Sequence, residues 1–238
     1  MDLLNPYYLQ IVMFFIINAI MGISSYFTLA SGQLSLGAAG FMSVGAYVGA
    51  MLSLKADLPI IVGIIIGGLV ASLVAVIIGL PTTRLRGLYL AIATLGFGEV
   101  VRVIFLNLDV TNGALGLSGI PSISQELTNY AYEFDIDGLM GLDAVTWGNL
   151  MAIIILLVVL ALIIAFCVRI NNSRVGRAFA AIKADDHAAE LMGINVVYYK
   201  MMAFIIGAFI AGIGGGVYAH ITNFINPTDF SYHKVVQI

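Results

Sequence analysis

The chain has 238 residues, of which 61% are hydrophobic and only 10% charged, with a formal net charge of −3 and a mean hydropathy of +1.05. A water-soluble domain carries about a quarter charged residues, so this composition excludes an ordinary soluble domain: lipid solvates such a surface, and water would aggregate it. The single cysteine, Cys167, cannot close an internal disulfide and fixes no redox compartment.

An isolated helix needs about 20 apolar residues to cross about 30 Å of hydrocarbon. No Lys, Arg, Asp or Glu falls between Asp2 and Lys55, Asp57 and Arg84, Asp143 and Arg169, or Lys200 and Asp229. These runs predict an all-α, polytopic transmembrane bundle of about six spans, one domain over residues 1–238. No basic region precedes the first apolar stretch, which therefore reads as a retained span rather than a cleaved signal.

The first span is expected from Tyr8 to Leu29, with Tyr7 and Tyr8 at the interface. Ser31-Gly32-Gln33-Leu34-Ser35-Leu36-Gly37 then breaks the helix, as a turn or as a re-entrant segment over residues 31–40. The second span runs to Leu54 and carries Gly45-x-x-x-Gly49. Pro59 opens the third, Ile60 to Leu80. A row of small residues every fourth position (Gly63, Gly67, Ala71, Ala75, Gly79) lines one face of that helix. Such a row lets another backbone approach closely; a substrate-facing groove is the other reading.

Arg84 and Arg86 mark a tight loop before the fourth span, which starts at Leu88 and carries Thr94, Gly96, Gly98, Glu99 and Arg102. At 1.5 Å per residue Glu99 sits roughly 18 Å from Gly87, past the bilayer midplane. Charge at that depth is costly and points to function. Glu99 and Arg102 can also simply pair, three residues apart on one helix face. Both readings stand, and Thr94, Gly96, Gly98 and Glu99 are the candidate translocation-pathway residues.

Residues 107–147 form the longest loop, with Asp109, Glu126, Glu133, Asp135, Asp137 and Asp143 and no Lys or Arg. Asp135-Ile136-Asp137-Gly138 is only a fragment of a calcium-loop pattern, so a solvated acidic face is expected and no metal site. The fifth span runs from Trp147 to Val168 and the sixth from Met201 to Ile221. The sixth has two small-residue rows: Gly207, Ala211, Gly215, Ala219 and Ala208, Gly212, Gly216. This is the strongest packing face in the chain. His220, near its far end, reads as an interfacial, structural histidine. Residues 234–238 look like the opening of a further span, so the sequence is expected to continue.

Between the last two spans lies the longest polar island on the basic side, residues 169–200. It sets Arg169, Arg174, Arg177, Lys183 and Lys200 against Asp185, Asp186 and Glu190. Lys and Arg accumulate on the cytoplasmic side, so this island and the Arg84–Arg86 loop face inward and the acidic loop faces outward. Six alternating spans then leave the N-terminus outside. Within the island, Ala178, Phe179 and Ile182 form an apolar stripe at helical spacing. Asp185 or Asp186 can cap a second short helix, and Gly193 is placed to end it. An exposed Phe179 would either dip into lipid or fill a partner's groove.

Arg177-Ala178-Phe179-Ala180-Ala181-Ile182-Lys183-Ala184-Asp185-Asp186, followed by Ala188-Ala189-x-x-x-Gly193, resembles the cytoplasmic coupling loop of ATP-binding-cassette importer permeases. His187 stands where that family has Glu. Three further stretches resemble the LivM-type permeases of branched-chain amino-acid importers: Ser31 to Gly37, Arg84 to Glu99, and Asn226-Pro227-x-x-Phe230. Thr111-Asn112-Gly113 departs from the family's more usual T-G-G. The resemblance implies a non-enzymatic permease subunit of a bacterial inner-membrane importer for leucine, isoleucine or valine. Implied partners are cytoplasmic ATPase subunits, a second homologous permease and an external binding protein, with no nucleic acid among them. The ATPases would grip Arg177, Phe179, Ile182, Lys183, Asp185, Asp186 and Gly193. No G-x-x-x-x-G-K-[ST] pattern occurs here, so ATP would be bound by those partners and this chain needs no cofactor.

A urea or short-amide permease of the same type is the nearest rival reading, since the external protein chooses most of the cargo. An ion-coupled secondary transporter using Glu99 would show an inverted repeat, and none is evident. A membrane-embedded enzyme would want clustered His, Asp or Ser at equal depth, and only Glu99 and Arg102 lie deep.

Overall fold

The computed structural model describes residues 6–82, 85, 87–133 and 144–230. Arg84, Arg86, Asp135, Asp137, Asp143, the Glu133 side chain and residues 231–238 lie outside the described residues. Six described helices are long and apolar enough to cross a membrane. They are α1 (Pro6–Ala30), α2 (Ala38–Lys55), α3 (Ile60–Thr82), α4 (Leu88–Asn107), α6 (Ala144–Asn171) and α9 (Val196–Thr222). Between them stand the surface helix α5 (Ile123–Glu133) and two short helices, α7 (Arg174–Ala184) and α8 (Asp186–Leu191).

α2 is the least apolar of the six spans and the most buried, and α6 is the most apolar and the least buried. A helix wrapped by others needs small side chains more than greasy ones, because close backbone approach supplies its packing. α2 accordingly packs against α9, α3 and α4, while α1 bridges α9 to α6. α6 turns Ile154, Ile155, Leu157, Val158 and Leu162 outward, as a lipid-facing helix must.

Glycines from three helices meet at the centre. A methyl group at Gly45 would overlap the Gly212 carbonyl, and one at Gly67 would sit 2.6 Å from the Gly45 carbonyl oxygen. A methyl at Gly215 would overlap the Met42 carbonyl, and one at Gly212 would come 2.7 Å from Ala71 Cβ. Gly63 lies against Gly49, Gly216 against Ile64, and Gly207 against Ser24. Ala211 is fully buried. The small-residue rows of α3 and α9 therefore face each other and α2. Few directional bonds add to this contact; the Ser24 hydroxyl donates to the Gly207 carbonyl at 2.8 Å.

The two ends of the bundle differ in charge. At the basic end, α1 closes on Gly32, whose φ of +75° suits glycine. Gly32 N–H donates to Leu29 O (3.1 Å) and Gln33 N–H to Thr28 O (2.9 Å). A turn at residues 31–32 and an irregular stretch over 33–37 lead into α2 at Ala38, which runs on to Lys55 at the acidic end rather than returning, so the re-entrant alternative is not what forms. At the acidic end, residues 107–122 and 223–230 interlock. β1 (Leu117–Ser118) pairs antiparallel with β2 (Phe224–Ile225), with Leu117 opposite Ile225. Lys55 Nζ reaches the Val110 carbonyl at 3.0 Å.

Two expectations are corrected here. The 107–147 stretch is more than a solvated loop: it contains two 3-10 turns, β1 and α5 before α6 begins at Ala144. The Ser124 hydroxyl of α5 bonds Asn149 of α6, and Ile123 and Leu127 pack on the core, so an 11-residue helix too short to span lies on the bundle instead. His220 is wholly buried rather than interfacial. Its Nδ1–H donates to the Gly216 carbonyl at 2.7 Å, which leaves Nε2 of the neutral ring to accept from Ser53 Oγ at 2.9 Å. The structural role expected of it is the one these bonds serve, tying α9 to α2.

Candidate functional site: the α7–α8 loop and the outward face of α4

Local rules build the α7–α8 loop. Ser173 Oγ accepts from Val175 N–H (3.1 Å) and caps α7. Asp185 caps α8, its Oδ1 accepting from His187 N–H (2.8 Å) and Ala188 N–H (3.1 Å). Asp186 does not cap; its Oδ2 pairs with Lys200 Nζ at 2.5 Å. Gly193, at φ +81°, ends α8. Its N–H donates to Glu190 O (2.9 Å) and Ile194 N–H to Ala189 O (3.1 Å), the same paired closure that ends α1. Asn195 Oδ1 then caps α9 through Tyr198 N–H at 3.0 Å.

Phe179 is not exposed, contrary to expectation. It is 2% exposed, as is Ile182, and both lie inward with Ala178. The Phe179 ring meets Tyr199 edge-on, with centroids 6.4 Å apart. An apolar stripe on a short helix must be covered by something, and here the bundle itself covers it. The accessible residues include Arg174, Arg177, Lys183, Asp185, His187, Glu190 and Gly193, together with Leu191 at 89% and Met192 at 83% exposure. Leu191 and Met192 were missed from the sequence. In the sequence they stand as two large apolar residues just before the helix-ending Gly193.

The loop is tied to the α1–α2 turn. A methyl on Gly32 would come 3.2 Å from Lys183 Cα. Gln33, 3% exposed, donates from Nε2 to the Lys200 carbonyl (2.8 Å) and to Ser31 Oγ (3.1 Å). Leu36 N–H donates to Thr94 Oγ1 at 2.9 Å, so the same turn reaches α4.

The four α4 candidates split between two faces. Thr94 is fully buried, its hydroxyl donating back to Leu90 O at 2.9 Å. Gly98 faces α2, where a methyl on Gly40 would fall 3.0 Å from Gly98 Cα. Gly96 and Glu99 instead lie on the outward side with Tyr89, Ile92, Val100 and Val103, and a methyl on Gly96 would meet nothing within 4 Å. Glu99 Oε2 accepts from Arg102 Nε at 2.7 Å, both side chains partly exposed. Two clefts, of about 630 and 440 Å³, open at the acidic end and share Ile60, Ile61, Glu126 and Tyr130. None of the four α4 candidates lines either cleft.

The family described as branched-chain amino acid transport system / permease component matches residues 7–237. The chain is 34% identical over 228 residues to the high-affinity branched-chain amino acid transport system permease protein LivM of Escherichia coli, covering 91% of this chain and 51% of that one. To the protein of the same name from Salmonella typhimurium it is 32% identical over 226 residues, with the same coverage. The chain thus spans about half the length of the curated relatives it matches. No solved structure matches it. With six apolar helices packed through small residues and a family match from end to end of the bundle, the chain belongs to the permease-component family of branched-chain amino acid transport systems.

Proposed function

We propose that this chain is the membrane-spanning permease of an ATP-driven importer that moves leucine, isoleucine and valine delivered by an external binding protein. It is a multi-pass protein of the bacterial inner membrane. Its basic end faces the cytoplasm, following the rule that Lys and Arg are retained there. The observation that carries the reading is the 34% identity to a LivM permease across 91% of the chain; the capped, outward-tipped α7–α8 loop supports it.

Cytoplasmic ATPase subunits bind ATP and grip the α7–α8 loop through Arg177, Lys183, Asp185, Glu190, Leu191 and Met192. Phe179 and Ile182 hold the loop to the bundle from behind, so a push on the tip is delivered to the bundle rather than absorbed by a loose hairpin. The outward face of α4 borders the translocation path and meets the second permease. What supports this is a contrast: α3 and α6 present aliphatic side chains outward, whereas on α4 a glycine and an ion pair stand among the outward apolar side chains. A charge pair on a lipid-facing surface is costly, and a gap beside Gly96 leaves room for another chain or for cargo.

The test is reconstitution of the complete transporter in vesicles with its ATPases and binding protein, followed by uptake of labelled leucine and labelled urea. ATP-dependent leucine accumulation is expected. Uptake of urea alone would move the chain to the amide permeases, and accumulation without nucleotide would overturn the reading.

A further inference from the structure

We propose that Gln33 is a positioning residue for transport, holding the α7–α8 loop to the α1–α2 turn so that movement of the loop is passed to α2 and α4. The proposal rests on the reading that ATPases engage α7–α8. Covalently, that loop continues only into α6 and α9. Left to those connections, a push on its tip would tilt α6 and α9 and leave α4, with its Gly96–Glu99 face, behind.

The contacts at the basic end supply the missing link. Gln33 is 167 residues from Lys200 in sequence, yet its Nε2 donates to the Lys200 carbonyl in the first turns of α9. Both N–H groups of that carboxamide are used, the second on Ser31 Oγ, which itself donates to Thr28 O at 2.9 Å. A buried amide with its donors satisfied across an interface fixes the two sides in register, because breaking it leaves polar groups unpaired. Beside it, Gly32 lies against the Lys183 backbone at the end of α7. The Lys200–Asp186 ion pair fastens the start of α9 to the start of α8. Three segments are thereby clamped: the α1–α2 turn, the α7–α8 junction and the first turns of α9. Three residues after Gln33, the Leu36 N–H to Thr94 bond carries the clamp to α4.

The backbone of the turn is as constrained as its side chain. Gln33 N–H closes α1, and Gly32 sits in a left-handed conformation that other residues adopt at a cost. The turn therefore cannot rotate freely to keep its bonds while the loop moves; it has to move with the loop.

The test uses Gln33→Met in the complete transporter, since methionine keeps the length and volume of the side chain and removes both donors. Leucine uptake and ATP hydrolysis are measured in the same vesicles, and retention of the ATPases is measured on purification. The expected result is a fall of about fivefold or more in leucine moved per ATP hydrolysed, the scale of a typical coupling free energy, with ATPase retention and hydrolysis kept. An unchanged ratio overturns the proposal, as does loss of the ATPases from the complex, which would make Gln33 a folding residue. Should Gln33→Met fail to accumulate, Thr94→Val removes the next link and is read the same way; an unchanged ratio there overturns the proposal. Leu191→Asp tests the underlying reading separately: it should strip the ATPases from the complex, and if it does not, it is that reading which fails.

Discussion

Two sets of glycines in this chain do opposite work. Where α2, α3 and α9 meet, Gly45, Gly67, Gly212 and Gly215 bring backbone against backbone, and an added methyl would strike a carbonyl or another helix. On α4, Gly96 borders open space, and an added methyl would touch nothing. In lipid, helices gain little from excluding water, so association depends on close contact; the first set supplies that contact for this fold. Gly96 gives up side-chain contact on an outward face that also carries an ion pair. The difference separates what holds the bundle together from what it leaves open on an outward face.

The comparison breaks most visibly at the centre. Gly215→Leu would drive a side chain into the Met42 carbonyl, costing about 3 kcal/mol or more, and little folded protein should reach the membrane; thermal unfolding of the purified variant measures this. Ala211→Arg, one turn away and fully buried, should abolish uptake, a centrally placed Arg costing about 2.5–3.5 kcal/mol even by the mildest scale; normal leucine uptake would remove α9 from the packed core. Phe179→Ala should loosen α7 without unfolding the bundle, at a cost of about 3 kcal/mol confined to the loop, visible as faster amide exchange over residues 174–193. Gly96→Leu should leave the melting temperature within about 2–4 °C of the parent, corresponding to no more than about 1 kcal/mol, while leucine uptake falls. If Gly96→Leu destabilised as Gly215→Leu does, the distinction between the two glycine sets would collapse.

Much of this was readable from local rules. Five of the six spans follow from uncharged runs of sufficient length, α4 being the one that carries charge, and the observed ends lie within a few residues of the expected ones. Gly193 and Asp185 occupy the positions that helix closure and capping predict. What escaped was tertiary. An apolar stripe containing Phe179 announces that something covers it, but not whether lipid, a partner or the bundle does. Gln33 looks like one polar residue in a turn, and its bond to Lys200 joins segments that no window of sequence contains. The β1–β2 bridge is two residues long on each side, too short for any alternation to show. The split of the α4 candidates depends on which side of α4 meets α2, and both sides contain a glycine.

The bridge at the acidic end has a mechanical consequence. Leu117 pairs with Ile225, Ile120 N–H donates to Asn223 O at 3.3 Å, and Asn226 Nδ2 donates to Ala114 O at 3.0 Å. These bonds pin the far end of α9 to the segment that follows α4. A helix of 27 residues is a rod about 40 Å long at 1.5 Å per residue. Hinged at that seam, it would swing its opposite tip by about 7 Å for a tilt of about 10°. A small rotation about that fulcrum thus becomes a large excursion at the basic end, where the proposed ATPases would sit, and the same leverage, run in reverse, would gear a broad stroke at one end down to a fine adjustment at the other.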